Sequence, residues 1–417
     1  MNIRTISIAF YSLTIMLFAC NEPKGRKSNR SLLISDCEQV ADLKQIGEDQ
    51  VVVCDLDLMK DTVVIPLSYL ADSLHIMKLD DKAGMQAPGL DIIVGDRYLL
   101  VAGSYWTGKI PHRLYDKSGN FIANIGGIGR GPGEYMDLCA QQLDEKNNRI
   151  YLLPWRSSLI LVYDLKGNPL DPIRLPQRIH QGNFHVNQED NVVSVFVAPI
   201  GNDPRQSRIP LTNHFIWAQD MSGKLIHGIS PTNFTSIDLS RFDENYPGSF
   251  FNAQKHDIHN STTRPPRQDT LYHYDAPNNR LMPQFTIDFK NRKIPCHVYC
   301  ELPQHYLVSL YDLIGTMPNQ LRAVNFRSFL VEKNTLKGNY IKLENDYLGN
   351  MEIKFSDIHF YHGHFVASYE PLQLLELLDD TLAHKTMTAE MREKLTKLKK
   401  NIKGTDNNYI LYAKLKQ

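Results

Sequence analysis

Four segments of this chain repeat one arrangement, and that repetition restricts the possible folds more than any other feature. Each is a hydrophobic strand, an aspartate, a turn holding Gly or Asn, and a second strand. They read LYDKSGNFIANIG at Leu114 to Gly126, VYDLKGNPLDPIRL at Val162 to Leu175, AQDMSGKLIHGIS at Ala218 to Ser230, and HYDAPNNRLMPQFTI at His273 to Ile287. Aspartate bonds backbone amides two residues ahead, and Gly or Asn accepts the positive φ of a tight hairpin. Each copy therefore predicts one β-hairpin. The aspartates Asp116, Asp164, Asp220 and Asp275 recur about every 50 residues, the period of a four-stranded propeller blade with one long loop. VEKNTLKGNYIKL at Val331 to Leu343 reads as a later copy, with Lys337-Gly338-Asn339 taking the turn.

Around these hairpins, residues 60 to 370 are short runs rich in Val, Ile, Leu, Phe and Tyr, separated by turn residues. The expected fold is all-β: a six-bladed β-propeller, with blades near 90–126, 135–176, 182–230, 241–290, 297–345 and from about 351 onward. One strongly helical stretch, Leu372 to Lys403, is expected as an insertion in the last blade, ended by Gly404. Tyr409 to Leu415 follows as a terminal strand. Val63 to Leu67 and Leu74 to Leu79 are strands that precede the first full blade. An N-terminal strand completing the blade built by the C terminus removes exposed sheet edges, so the ring is expected to close in that way. Residues 31–58 fit no blade and are left as a pre-domain segment contributing a peripheral strand or two; the propeller is assigned to 59–417.

The first residues have a different character. Arg4 is followed by an uncharged run from Thr5 to Ala19 that ends at Cys20. Such a run is shorter than the ~20 residues that cross a bilayer core, and its cationic start and small residue before the break predict a signal peptide over 1–19. Leu17-Phe18-Ala19-Cys20 resembles the lipobox of bacterial lipoproteins, which implies a lipid on Cys20. Acyl chains anchor by burying methylenes, at about 0.8 kcal/mol each, so no spanning segment is needed. Residues 20–30 are polar and aperiodic and read as a flexible tether. The expected location is the cell envelope, at the outer membrane.

GGIGRGPGEYMDL, Gly126 to Leu138, follows the first hairpin directly. It resembles the GxGPGEY loop of six-bladed β-propeller lipoproteins abundant in Bacteroides and their relatives. The segment Ile65 to Leu74 is similar to that family's opening strand, and the ILYAKLK ending to its closing strand after an inserted helix. The resemblance spans nearly the whole chain and implies fold and location, without an activity.

Charge and motifs exclude several functions. The 46 basic and 46 acidic residues cancel, which offers no basic patch to displace counterions from nucleic-acid phosphates, so no nucleic-acid partner is expected. The Gly126 to Gly133 run contains no GxGxxG, no GK followed by Ser or Thr exists, and the loop leads to Glu134-Tyr135 and not into a phosphate-holding helix. Its glycines read as the means of a tight turn between blades. No cofactor is expected. Hydrolase signatures are missing: there is no G-x-S-x-G elbow and no repeated sialidase box, although glycosidase carboxylates from different blades leave no sequence motif.

Candidate ligand-binding residues are Arg130 and Glu134, the charged side chains of the Gly-rich loop, with Tyr135 beside them. Trp106 and Trp155, next to turns, are candidates for stacking on a sugar ring. His362 and His364, at i and i+2 on one strand face, are geometrically admissible metal ligands, although chance placement among 15 histidines explains them equally well and no metal is assigned. After Cys20 is spent on lipid, Cys37, Cys54, Cys139, Cys296 and Cys300 are an odd, irregularly spaced set, expected as buried free thiols. The function expected is a non-catalytic binding or scaffold propeller for a glycan, a peptide or a partner protein. The alternative is an envelope hydrolase or lyase using channel-facing carboxylates or histidines.

Overall fold

A computed structural model describes residues 33–103, 110–198, 213–233, 245–262, 266–290, 292–315, 322–355, 357–384 and 386–417. The signal peptide, Cys20, the tether and Trp106 lie outside the described residues.

Six antiparallel sheets form the ring. Blade 1 holds Asp91–Val94, Tyr98–Ala102, His112–Asp116 and Phe121–Ile125 in that order from the axis outward. Blade 2 holds Leu138–Asp144, Arg149–Pro154, Leu159–Tyr163 and Pro169–Arg174; blade 3 holds Gly182–Asn187, Val192–Val197, Ile216–Asp220 and Leu225–Ile229. Blade 4 runs from Asn245–Gly248 through Asp257–Thr262 and Thr270–Asp275 to Arg280–Asp288, and blade 5 from Cys296–Glu301 through His305–Ile314 and Arg322–Glu332 to Gly338–Asn345. Blade 6 takes Ile358–Tyr361, His364–Tyr369 and Tyr409–Lys414 from the C-terminal part and His75–Lys78 from the N-terminal part. That last pairing, Tyr409 with Lys78 through Tyr412 with His75, closes the ring as expected.

Strand alternation explains why every blade is apolar on both faces. In blade 1, Ile92, Val94, Leu99 and Val101 pack toward blade 6, while Ile93, Leu100 and Leu114 pack toward blade 2. The buried apolar residues accordingly fall into six clusters, one at each interface between neighbouring blades. The cluster joining blade 6 to blade 1 mixes Met77, Val366, Ile410 and Tyr412 with Ile92, Val94 and Tyr115, so the seam is packed like the other interfaces.

Three of the four repeated aspartates bond amides two and four residues ahead, whereas Asp275 accepts from the Asn278 amide, three residues ahead, at 3.4 Å. Asp116 Oδ1 accepts from the amides of Ser118 at 2.8 Å and Asn120 at 3.0 Å, and Asp164 Oδ1 accepts from Lys166 at 2.9 Å and Asn168 at 2.8 Å. Asp220 does the same for Ser222 and Lys224. Gly119, Gly167 and Gly223 take φ of +86°, +83° and +92°. The proposed copy at 331–343 departs from this pattern. Gly338 begins a strand there, and the turn falls earlier, with Leu336 at φ +57° and the Thr335 hydroxyl bonded to Glu332. Strand pairing of Val331 with Gly338 sets that register and overrides the local Lys-Gly-Asn signal.

Besides Met351–Ile353, which pairs antiparallel with Gly338–Asn345, three further strands sit outside the blades' fourth strands. Ala41–Ile46 and Asp49–Asp55 form a hairpin whose second strand lies parallel to Arg280–Asp288, held at its ends by Arg280 to Asp49 at 2.7 Å and Lys290 to Asp55 at 2.9 Å. Thr62–Pro66 lies parallel to Gly338–Asn345 of blade 5. The expected single helical stretch is two helices, Pro371–Ala383 and Ala389–Asn401. Pro371 opens the first, and the Thr388 hydroxyl caps the second by accepting from the Met391 amide at 3.2 Å. Leu374, Leu378 and Leu395 bury their apolar sides against the interface of blades 5 and 6.

Candidate functional site

In each blade, the turns after the first and third strands lie at one end of the ring, and the longer connections lie at the other. The Asp turns belong to the first set, which defines a turn end and a crossover end. In five blades the first and second strands are joined by short links, such as Gly95 to Arg97 and His362-Gly363. Blade 4 differs: residues 249–256 form an eight-residue excursion between Asn245–Gly248 and Asp257–Thr262. It crosses the channel. The Phe251 ring stacks on His185 of blade 3 at 4.6 Å between centroids and meets His362 of blade 6 at 5.7 Å. His362 N–H donates to the Phe250 carbonyl at 3.0 Å, Gly363 N–H donates to Asn252 Oδ1 at 3.0 Å, and Asn252 Nδ2 donates to the Phe360 carbonyl at 2.9 Å. A loop of one blade is thus hydrogen-bonded to a blade two positions away, and it plugs the channel toward the turn end.

The plug is built with strained backbone and unpaired polar atoms. Phe251, Gln254 and His362 all take positive φ, between +48° and +56°. Such conformations cost about 1 kcal/mol or more in a non-glycine residue and persist only where surroundings enforce them. Here Asp257 does so, its Oδ1 accepting from the Phe250 amide at 2.9 Å and the Phe251 amide at 2.7 Å. Beside Phe251, His256 has neither ring nitrogen hydrogen-bonded. Burial, with His185 and His362 as neighbours, pushes its pKa down to about 3; burial, with His185 and His364, does the same for His362. These imidazoles are therefore neutral.

Several first-strand residues of the same tier are polar. Asp91 lies three residues before the end of its strand at Val94, Gln141 three before Asp144, His185 two before Asn187 and His359 two before Tyr361. Blades 6, 1 and 2 are consecutive, so His359, Asp91 and Gln141 form one continuous wall. Asp91 is exposed within the channel. Burial among the blades raises its pKa, against the pull of His359, and burial lowers that of His359 against the pull of Asp91. Gln141 is 4% exposed, and its amide lies near the Asp91 carboxyl and the His112 ring. It meets neither with hydrogen-bond geometry, and both amide atoms are left without a partner.

The residues singled out by sequence divide between the two ends. Arg130, Glu134 and Trp155 are at the crossover end. Glu134 Oε2 accepts from the Gly131 amide at 2.7 Å, and a Cβ on Gly129 would fall 1.9 Å from the same oxygen, so the loop's glycines make room for that carboxylate. Tyr135 takes a packing position: it is 4% exposed, donates to the Ile125 carbonyl at 2.8 Å and accepts from the His112 amide at 2.8 Å, which wedges it between blades 1 and 2. Trp155 rests on the His180 ring at 5.3 Å. His362 and His364 are at the turn end. They do not share a strand face, because His362 occupies the turn at φ +48° and His364 opens the next strand, its Nδ1 3.0 Å from the His362 carbonyl. Among the described residues no group of three or more His, Cys, Asp or Glu is arranged to hold a metal ion, and the five described cysteines are unpaired.

Sequence reasoning passed over Asp91, Gln141, His359 and Glu301. Glu301 is buried with His273 and Lys333 as partners; burial raises its pKa, and its interactions with these two side chains outweigh this to leave it lowered. Asp257 has no such cation, and burial, opposed by its amide bonds and assisted by the Glu301 charge, pushes it up to about 6.

The sequence from 52 to 414 matches a family described as a domain of unknown function, DUF4934. The chain belongs to the DUF4934 family. Among solved structures, this DUF4934 member is similar to a protein of Bacteroides fragilis NCTC 9343 described as a candidate exported protein, with 17% identity, a TM-score of 0.55, and coverage of 86% of this chain and 99% of that one. It is also similar to a DUF4221 member from Bacteroides vulgatus, with 10% identity, a TM-score of 0.47, and coverage of 83% and 97%. A comparison with curated proteins finds no match. Among the described residues, no helix is long and apolar enough to cross a membrane.

Proposed function

We propose that this DUF4934 protein is a lipid-anchored envelope protein, held through Cys20, whose ring acts as a non-catalytic binding module. The observation that carries the reading is the channel itself. Loop 249–256 fills its turn end with Phe251 and neutral imidazoles, while polar groups without partners line the tier reached from the crossover end. A concave site with a few convergent polar groups on a rigid frame suits capture of a ligand. Arg130, Glu134 and Trp155 then belong to the rim on the side of entry.

The test is a thermal-shift screen of the full chain in detergent micelles against glycans, peptides and amines, with mass spectrometry of each hit. The reading expects stabilisation by some ligand, without any change in that ligand's mass. Turnover of a hit, or stabilisation by nothing across all three classes, overturns it. For the anchor, Cys20→Ser is expected to abolish labelling by a palmitate analogue and to release the protein from membranes.

A further inference from the structure

We infer that the wall formed by Asp91, Gln141 and His359 is a binding site for a neutral saccharide, with Asp91 accepting hydrogen bonds from ring hydroxyls and the Gln141 amide both accepting and donating one. The inference rests on the binding reading above and names its ligand class.

Two independent observations converge on this place. The first is geometric: the first strands of three consecutive blades bring a carboxylate, an amide and an imidazole to one tier of the channel, on a frame packed on both faces. The second is the state of Gln141. Leaving both atoms of a buried amide unpaired costs about 1 to 3 kcal/mol for each group, and native proteins leave few such groups without a reason. A ligand hydroxyl is a donor and an acceptor at once, and so satisfies the amide whichever way it faces.

The charge at this tier selects the class. Counting back from the turn end, the described first-strand residues here are Asp91, Gln141, Phe184 and His185, Val298, and His359. Among them Asp91 is the one acidic residue, and there is no Lys or Arg. An anionic ligand finds no cation, since the nearby imidazoles are neutral. A polyamine, which carries several ammonium groups, finds a single carboxyl group. A polyhydroxylated neutral ring needs neither, and a carboxylate or amide presenting two polar atoms spans adjacent hydroxyls.

The experiment is isothermal titration calorimetry of the full chain in detergent micelles with maltose, cellobiose, xylobiose, mannobiose and N-acetylglucosamine, each to 50 mM as a rough ceiling set by weak sugar affinities. Spermidine and trialanine run alongside. The parent, Asp91→Asn and Gln141→Leu are compared, with melting temperature checking that each variant folds; Asp91→Asn keeps shape at an exposed position and is expected to melt with the parent. The inference expects at least one sugar to bind, and both variants to weaken it tenfold or more. It is overturned if no sugar binds, or if a sugar binds both folded variants as it binds the parent. Binding of spermidine or trialanine alone overturns the saccharide assignment while leaving the binding module standing, whereas failure of every class in the wider screen removes both.

Discussion

Replacing Asn252 with alanine is expected to unlock the channel plug. The side chain is 0% exposed and makes three contacts: Nδ2 donates to the Phe360 carbonyl at 2.9 Å and approaches Cys300 Sγ at 3.4 Å, and Oδ1 accepts from the Gly363 amide at 3.0 Å. Alanine leaves the Gly363 N–H unpaired inside the protein and removes one acceptor contact from Phe360. At about 1 to 3 kcal/mol for an orphaned buried group, with a smaller loss for the carbonyl, the expected destabilisation is about 2 to 4 kcal/mol. For a chain on the order of 400 residues the unfolding entropy is about 0.8 kcal/mol per degree, so the melting temperature falls by roughly 2 to 5 °C. The diagnostic readout is local. Hydrogen exchange followed by mass spectrometry is expected to quicken in peptides covering 249–256 and 360–364 more than in blades 1 and 2, because the loop's link to blade 6 is lost while the interblade cores remain. A uniform change in exchange, or a loss of stability under 1 kcal/mol, refutes the view that Asn252 ties this loop across the channel.

Other substitutions probe the remaining parts. Asn408→Ala removes a fully buried amide that accepts from Ala87 N–H at 3.0 Å and donates to its carbonyl at 2.7 Å, so urea unfolding is expected to show a loss of about 2 to 5 kcal/mol at the seam. Gly129→Ala forces the Glu134 carboxylate off the Gly131 amide and is expected to cost about 1 kcal/mol, with little further loss when Glu134→Ala is added, measured by a double-mutant cycle in urea. Asp257 binds its proton more tightly folded than unfolded, so its contribution is full below pH 4 and is lost as pH rises through about 6; Asp257→Asn is expected to gain roughly 2 kcal/mol over the parent at pH 8 and nothing at pH 4. His256 acts oppositely: its pKa of about 3 folded lies below the ordinary 6.5, so stability is lost as pH falls below 6.5, and His256→Phe is expected to remove about 2 kcal/mol of the parent's loss between pH 7 and pH 5 in matched melts.

The parts of this fold that are legible in the sequence are those fixed by local chemistry or by period. Asp116, Asp164 and Asp220 specify their hairpins within five residues, so the blade period followed from their spacing and the count of six from the strand runs along the chain. The closing strand was legible because His75 to Lys78 and Tyr409 to Lys414 are strands left over at opposite ends of the chain. The Lys337-Gly338-Asn339 turn misled because pairing in blade 5 decides that register. The helical stretch reads as one because apolar spacing continues through it, whereas the Thr388 cap restarts it. The channel wall was out of reach for another reason: Asp91, Gln141 and His359 come from three blades, and only ring closure brings residue 359 beside residue 91. The plug was equally hidden. Phe251 stands in a segment with no strand or helix pattern, and its partners are 66 residues before it and 111 after it, at His185 and His362. The charged residues of the Gly-rich loop drew attention because the motif is conspicuous, although Glu134 and Tyr135 spend their polar atoms on the loop and the blade interface.

Closure of the ring underlies both the channel and its wall, and it can be trapped chemically. His75 and Tyr412 face one another across the seam, their rings stacked at 5.0 Å, as directly opposed residues of an antiparallel pair. Cysteines placed at both positions are within disulfide reach there. Oxidation of the His75→Cys, Tyr412→Cys variant is expected to join the two residues nearly completely, seen as a faster-migrating band on a non-reducing gel and a cross-linked peptide pair in mass spectrometry, with melting temperature kept or raised. A variant that folds with the parent's melting temperature yet leaves both new thiols free would contradict the closed six-bladed ring.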